Sequence, residues 1–257
     1  MNMAQNRHIK IGFWVCLLVA LMAVGWRNKS HDDSYVMRQR DTGKIYPAAA
    51  SPRTTALRAM CLWRIKAYLA LGDSYTIGQS VAVSDRYPVQ AAALLGEKDA
   101  PEVIARTGWT TGDLLDALTA NPPSRPVYHV VTLLIGVNNQ FQGRPVAEYR
   151  TQFTEILRRC IHWTGDTASH VIVLSIPDYG DSFYGQQAGD PAAVSKGIDA
   201  FNAVNLEVSG AYGVRYVDIT DLTRSAKGDA TLFAPDGLHY SGKEMALWAT
   251  SLAKAWP

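Results

Sequence analysis

The chain of 257 residues has only three cysteines, Cys16, Cys61 and Cys160. So few exclude a disulfide scaffold, and their spacing fits no metal-ligand pattern. Charged residues make up only 19% of the chain, and no internal repeat is present. Residues 67–257 contain no long apolar stretch, and the mean hydropathy is −0.07, which excludes a polytopic membrane protein while leaving room for one membrane segment. There is no Gly-x-Ser-x-Gly, which disfavours the nucleophile elbow of the α/β-hydrolases. What is present is a 47% hydrophobic fraction with 20 Gly and 12 Pro. That is the composition of one packed domain with an appendage, and it rules out a disordered chain, a collagen-like repeat and a coiled coil.

The net charge of +2 hides an asymmetry. Residues 1–66 hold 11 Lys and Arg against 3 Asp and Glu, a balance of +8, whereas residues 67–257 hold 14 against 20, a balance of −6. An acidic body argues against a nucleic-acid groove. Within the basic part, Arg7 and Lys10 precede an apolar run from Ile11 to Trp26 that ends near Ala23-Val24-Gly25. This is the pattern of a secretory signal or a retained signal anchor over residues 1–26. The run is shorter than the roughly 20 residues of a comfortable span. Arg27 and Lys29 just beyond it pull against export. Residues 27–65, polar, basic and irregular, read as a linker. The expectation is a domain of residues 66–257, exported to the cell envelope or beyond, or tethered to a membrane through residues 11–26. Met60 is an alternative start of the functional chain, and a product beginning there would be cytoplasmic.

From Lys66 the chain alternates short apolar runs with helical segments. Strands are expected at Ala67–Leu71, Glu102–Ala105, Val127–Ile135, Val171–Ile176 and Arg215–Ile219. Helices are expected at Tyr87–Leu95, from a Thr111 cap through Leu118, and at Val146–Cys160, Ala192–Ala211 and Gly242–Ala255. Most of the strands are apolar throughout, so both sheet faces must be covered, as in a parallel sheet between two helical layers. The fold class is therefore a three-layer α/β/α sandwich with five parallel strands in flavodoxin-like order. In such folds the site lies beyond the carboxyl ends of the strands.

Chemistry concentrates at those ends. Gly72-Asp73-Ser74-Tyr75 follows the first strand, Arg106-Thr107-Gly108-Trp109-Thr110 the second and Gly136-Val137-Asn138-Asn139 the third. Pro235-Asp236-Gly237-Leu238-His239 precedes the last helix. A serine hydroxyl needs a base within hydrogen-bond reach. Ser74 stands at a strand-to-helix junction, where the helix N-terminus favours developing negative charge. Of six histidines, His239 alone falls on a rim loop beside a carboxylate. Asp236, three residues earlier, can fold back to orient the imidazole. Ser74, His239 and Asp236 thus suit nucleophile, proton shuttle and orienting acid.

The four segments in this order resemble the sequence blocks of the SGNH hydrolases, also called the GDSL esterases and lipases, across residues 67–257. The resemblance implies an SGNH fold and ester hydrolysis through an acyl-enzyme, with no metal or cofactor. It also implies an oxyanion hole made by the backbone N–H groups of Ser74 and Gly108 and the side-chain amide of Asn138. The third block departs from the commoner Gly-x-Asn-Asp: Asn139 replaces the acidic residue, changing the charge expected beside the site and with it the substrate preference.

Each residue has a plainer reading. Asp73-Ser74 could be only a helix cap, Asn138 and Gly108 only turn residues. Gly237–Lys243 nearly matches a phosphate-binding loop, but Glu244 stands where Ser or Thr should hold magnesium. His129, His162 and His170 are expected to be structural, Cys61 and Cys160 to be small buried residues. Tyr179, Phe183 and Tyr184 could line an acyl or sugar pocket, with Gly180, Gly185 and Gly189 making that stretch a candidate lid. The leading expectation is hydrolysis of a short-acyl oxygen ester on a carbohydrate or small alcohol. A lysophospholipase or lipase-type lipid esterase is the alternative. An acyltransferase and a catalytically silent binding module are the competitors from other classes.

Overall fold

The computed structural model describes residues 67–187 and 189–257, with the backbone of one short antiparallel pair, Arg38–Gln39 against Ile45–Tyr46. The leader read at residues 1–26, Cys61, Met60 and most of the linker lie outside the described residues. The antiparallel pair falls in the segment read as irregular; strands of two residues carry no periodicity to read. The chain divides into two compact units, Met1–Thr54 and Thr55–Pro257.

The second unit contains five parallel strands, β1 (Tyr68–Gly72), β2 (Glu102–Ala105), β3 (Val130–Leu134), β4 (Val171–Leu174) and β5 (Arg215–Val217), in the order β2-β1-β3-β4-β5. This is the flavodoxin-like order. Every residue of β1, β3 and β4 is buried, while β2 and most of β5 are only half-buried, as edge strands should be. Register pairs such as Leu69↔Glu102 and Leu71↔Leu133 place the carboxyl ends of β1, β2 and β3 side by side.

The apolar runs extend beyond the ladder. Tyr128 and Ile135 are buried outside β3, and Ser175 and Ile176 outside β4. After β5 the chain turns to bond Ser175: the Ile219 and Thr220 N–H groups donate to its Oγ at 2.8 and 3.0 Å.

The helices are α1 (Ser74–Ile77), α2 (Tyr87–Leu94), α3 (Thr111–Ala120), α4 (Val137–Phe141), α5 (Val146–Trp163), α6 (Phe183–Gln187), α7 (Pro191–Tyr212), α8 (Thr220–Ser225) and α9 (Gly242–Lys254). α5 buries Tyr149, Phe153, Ile156, Leu157 and Cys160, a stripe at helical spacing. It packs against α3 and α7, whereas α2 packs against α9. Strands buried on both faces between these groups give the expected three layers.

Thr111 is the first residue of α3, and the cap is Thr110. The Thr110 hydroxyl accepts from Asp113 N–H and the Asp113 carboxylate accepts from Thr110 N–H, a capping box. His162 is exposed beside Asp166, off the core where the sequence pattern put it. His129 and His170 are packed edge to face at 5.0 Å. Cys160 is a free, fully buried thiol. Among the described residues no helix is long and apolar enough to cross a membrane.

Candidate active site

The site starts with how sharply β1 hands over to α1. A side chain at Gly72 would meet Leu134 O and Thr76 Oγ1, both at 2.2 Å, so only glycine lets the strand end this close to its neighbour and its own helix. Asp73 caps α1, its Oδ1 accepting from Tyr75 N–H at 3.0 Å. Ser74 is the first residue of α1 and is nearly buried. Asp73 is wholly buried, and its Oδ2 has no hydrogen-bond partner. Burial pushes its carboxyl up to about 7, against the opposing pull of the Tyr75 backbone N–H.

Beyond β2, Trp109 N–H donates to Arg106 O at 3.2 Å, closing a turn in which Gly108 has φ +84°. A Cβ there would meet nothing within 4 Å. The backbone conformation, not crowding, demands glycine, and the face over that peptide is left open. Beyond β3, α4 carries two asparagines with different partners. Asn138 Nδ2 donates to Trp109 O at 2.9 Å, which leaves its second N–H available. Asn139 is fully buried and turned away from the cleft; its Oδ1 accepts from Thr111 N–H at 2.9 Å and its Nδ2 donates to Thr111 Oγ1 at 2.8 Å. It ties the two blocks together and stands outside the cleft lining.

On the loop before α9, His239 Nδ1 lies 2.8 Å from Asp236 Oδ2. Asp236 Oδ1 accepts from the backbone N–H groups of Leu238 and His239, each at 2.9 Å. Ser80, which no local pattern flagged, donates to Oδ2 at 2.5 Å. Partial burial pushes the Asp236 carboxyl up, but these hydrogen bonds together outweigh it and hold the group at about 2. The His239 ring packs against Tyr75, centroids 5.5 Å apart, and Tyr75 leans in turn on Tyr240 and Trp248.

Four of the five expected residues meet at one cleft. Its lining comprises Ser74, Tyr75, Thr107, Gly108, Val137, Asn138, Phe141, Tyr179, Tyr184, Leu238 and His239, around a volume of about 150 Å³. Asp236, the fifth, stands behind His239. None of the lining residues is Lys, Arg, Asp or Glu. Asp218, Ile219 and Thr220, immediately after β5, stay out of the cleft lining and serve the Ser175 network instead. Among the described residues no group of His, Cys, Asp and Glu is placed to hold a metal ion.

In the stretch read as a candidate lid, the backbone is closely packed at Gly180 and Gly185. A Cβ on Gly185 would lie 2.0 Å from Tyr179 O, and Ser182 Oγ bridges Tyr179 O and Gly185 N–H at 2.6 and 2.9 Å. The glycine serves close approach there. The near phosphate loop is likewise something else: Ser241 caps α9, and Lys243 Nζ donates to Thr231 Oγ1 at 2.7 Å.

The model of the GDSL-like lipase/acylhydrolase family matches residues 70–246. The chain belongs to that family. The GDSL chain is therefore a carboxylic ester hydrolase by family. No curated protein matches it. Among solved structures it resembles the phospholipase A1 from Streptomyces albidoflavus, with 19% identity over 74% of this chain and 99% of that one and a TM-score of 0.58. A lipase/acylhydrolase from Enterococcus faecalis is similar at 22% identity, 73% and 94% coverage and a TM-score of 0.53. TesA is similar at 16% identity, 74% and 97% coverage and a TM-score of 0.57. These likenesses carry the fold. Where the family's name has Leu, this GDSL chain has Tyr75, the residue against which His239 packs.

Proposed function

We propose that the protein is a serine esterase that cleaves short-acyl oxygen esters of a carbohydrate or small neutral alcohol. The observation that carries this reading is the convergence of Ser74, Gly108, Asn138 and His239 on one small, uncharged cleft, with Asp236 at hydrogen-bond distance behind the imidazole. With Nδ1–H donated to Asp236, Nε2 is the free base. It takes the Ser74 proton as Oγ attacks the ester carbonyl, and Asp236 stabilises the imidazolium. The Ser74 and Gly108 N–H groups and the Asn138 amide receive the oxyanion. Collapse breaks the C–O bond, and the leaving alkoxide takes the proton back from His239. Water, deprotonated by the same nitrogen, then attacks the acyl-Ser74 carbonyl and releases the acid.

Two features favour a small, neutral acyl group. The cleft volume of about 150 Å³ is below the roughly 300–1,000 Å³ of pockets for drug-sized ligands, and the lining offers no ionic partner. A lipid-ester reading rests on the aromatics at the mouth, since Phe141 and Tyr184 line the cleft and are exposed. The same Phe141 and Tyr184 suit stacking on a sugar face. For the N-terminal segment we propose export or membrane anchoring, on the strength of the basic flank and the apolar run; fractionation of cells expressing the full chain tests it, and recovery only in the cytosol refutes it.

The decisive experiment measures hydrolysis of p-nitrophenyl esters from acetyl to palmitoyl by the full chain and by Ser74→Ala. The expected result is a short-acyl optimum that Ser74→Ala abolishes. A palmitoyl optimum moves the reading to a lipid esterase. Equal rates for wild type and Ser74→Ala overturn the serine mechanism and leave the binding module; acyl transfer to an added alcohol in preference to water identifies a transferase.

A further inference from the structure

The turn that follows α1 makes two long-range hydrogen bonds, one toward each side of the cleft. Gln79 Oε1 accepts from Thr107 Oγ1 at 2.5 Å, next to Gly108. Ser80 Oγ donates to Asp236 Oδ2 at 2.5 Å across 156 residues of sequence. Ser80 holds φ at +65°, a left-handed conformation that an L-residue with a Cβ avoids. Glycine would sit there without strain, yet a serine does, and its hydroxyl lands on the oxygen that also faces His239 Nδ1. Strain at a residue whose side chain reaches the reacting machinery points to a role there.

We infer that Ser80 is a positioning residue that acts through Asp236, a step that rests on the serine-esterase reading above. α1 is only four residues long, and Asp236 is one of the more exposed members of the site. Oδ1 is fixed by two backbone N–H groups, but Oδ2 has only side-chain partners, His239 and Ser80. Without the hydroxyl, the carboxylate can swing about its Oδ1 anchors and water competes for Oδ2. The imidazole then loses the fixed plane in which Nε2 faces Ser74. The Ser80 bond also connects the segment bearing the nucleophile to the loop bearing its base.

Ser80→Ala deletes the hydroxyl and keeps the strain; Ser80→Gly deletes the hydroxyl and relieves it. Both are expected to lower kcat on p-nitrophenyl acetate about fivefold, or ~1 kcal/mol of barrier, with KM within twofold. Their melting temperatures should diverge, Ser80→Gly at or above wild type and Ser80→Ala at or below it. In an Asp236→Asn background, Ser80→Gly is expected to change kcat less than twofold. A kcat within twofold of wild type in either folded single variant overturns the inference. So does a full fivefold loss in the Asp236→Asn background, which would place the hydroxyl's effect elsewhere. Ser74→Ala, run alongside, separates this outcome from failure of the esterase reading itself, in which case wild type and Ser74→Ala would turn over equally.

Discussion

Asn139 grips Thr111 through both atoms of its amide, accepting from the backbone N–H and donating to the hydroxyl. That donation leaves the Thr111 hydroxyl proton free for Gln152 Oε1, 2.5 Å away. An aspartate at 139 could only accept from the hydroxyl, so Gln152 would lose its donor and a carboxylate would be buried. Asn139→Asp is therefore expected to destabilise the protein by ~1–3 kcal/mol at neutral pH, with acyl-length preference unchanged because the residue does not reach the cleft. Urea denaturation and the ester series check both parts; a changed preference with unchanged stability would contradict the assignment.

Asp73 gives a pH dependence with a definite sign. Its carboxyl titrates near 3.9 in an unfolded chain and at about 7 when folded. Between these values the folded state binds more protons. The group's contribution is thus fully present below the unfolded value and is lost as pH rises through about 7. The slope is at most ~1.4 kcal/mol per pH unit. Asp73→Asn keeps an oxygen to cap α1 and removes the titration, so its stability should vary less across that window than that of wild type. Parallel pH profiles of unfolding free energy for the two proteins would show that another group titrates.

Phe141, at the end of α4, lines the cleft and is 57% exposed, its ring 5.9 Å from Tyr179. Phe141→Ala opens the cleft at its mouth without touching Ser74, Asn138 or His239. The chain-length optimum is expected to move up by about one or two methylenes, each contributing ~0.8 kcal/mol when buried, while turnover of the acetyl ester stays within about threefold. An unmoved optimum in the p-nitrophenyl series would remove Phe141 from the acyl-binding wall.

Arg224 donates to Asp178 Oδ2 at 2.9 Å and to Asp199 at 2.6 Å, and the Asp178 side chain is wholly buried. Asp178 begins the segment that carries Tyr179 into the cleft. Arg224→Met is expected to cost about 2 kcal/mol, less than for a fully buried pair because the arginine is one-third exposed. Adding Asp178→Asn should recover part of that loss. Thermal unfolding of the single and double variants provides the comparison, and additive losses would exclude coupling.

The fold could be read because β4 is apolar throughout, β1 and β3 nearly so, and each run closes at or just before a Gly or Pro stop. The apolar pattern overstates the length of β3 because burial outlasts pairing there, at Tyr128 and at Ile135. Ser74, Gly108, Asn138 and His239 were legible because each follows a strand or precedes a helix at a fixed place on one rim. Asn139, Gln79 and Ser80 were not. Their partners lie 28 residues away in each of the first two cases and 156 in the third, and a polar side chain in a turn leaves no periodic trace of a distant partner. All three take up the very role that local sequence hides, binding segments of the site to one another. The cap at Thr110 instead of Thr111 is a narrower matter: the capping box with Asp113 distinguishes two adjacent threonines.

The uncharged lining has a bearing on what happens after chemistry. Ester hydrolysis makes a carboxylic acid that ionises at neutral pH, inside a cleft with no lysine or arginine to retain it. The segment around it, residues 67–257, carries a balance of −6. The newly formed anion is expected to leave readily, since the field of the surrounding segment opposes its retention. Free acid added to the ester assay is therefore expected to inhibit turnover only weakly, and strong inhibition would count against this reading.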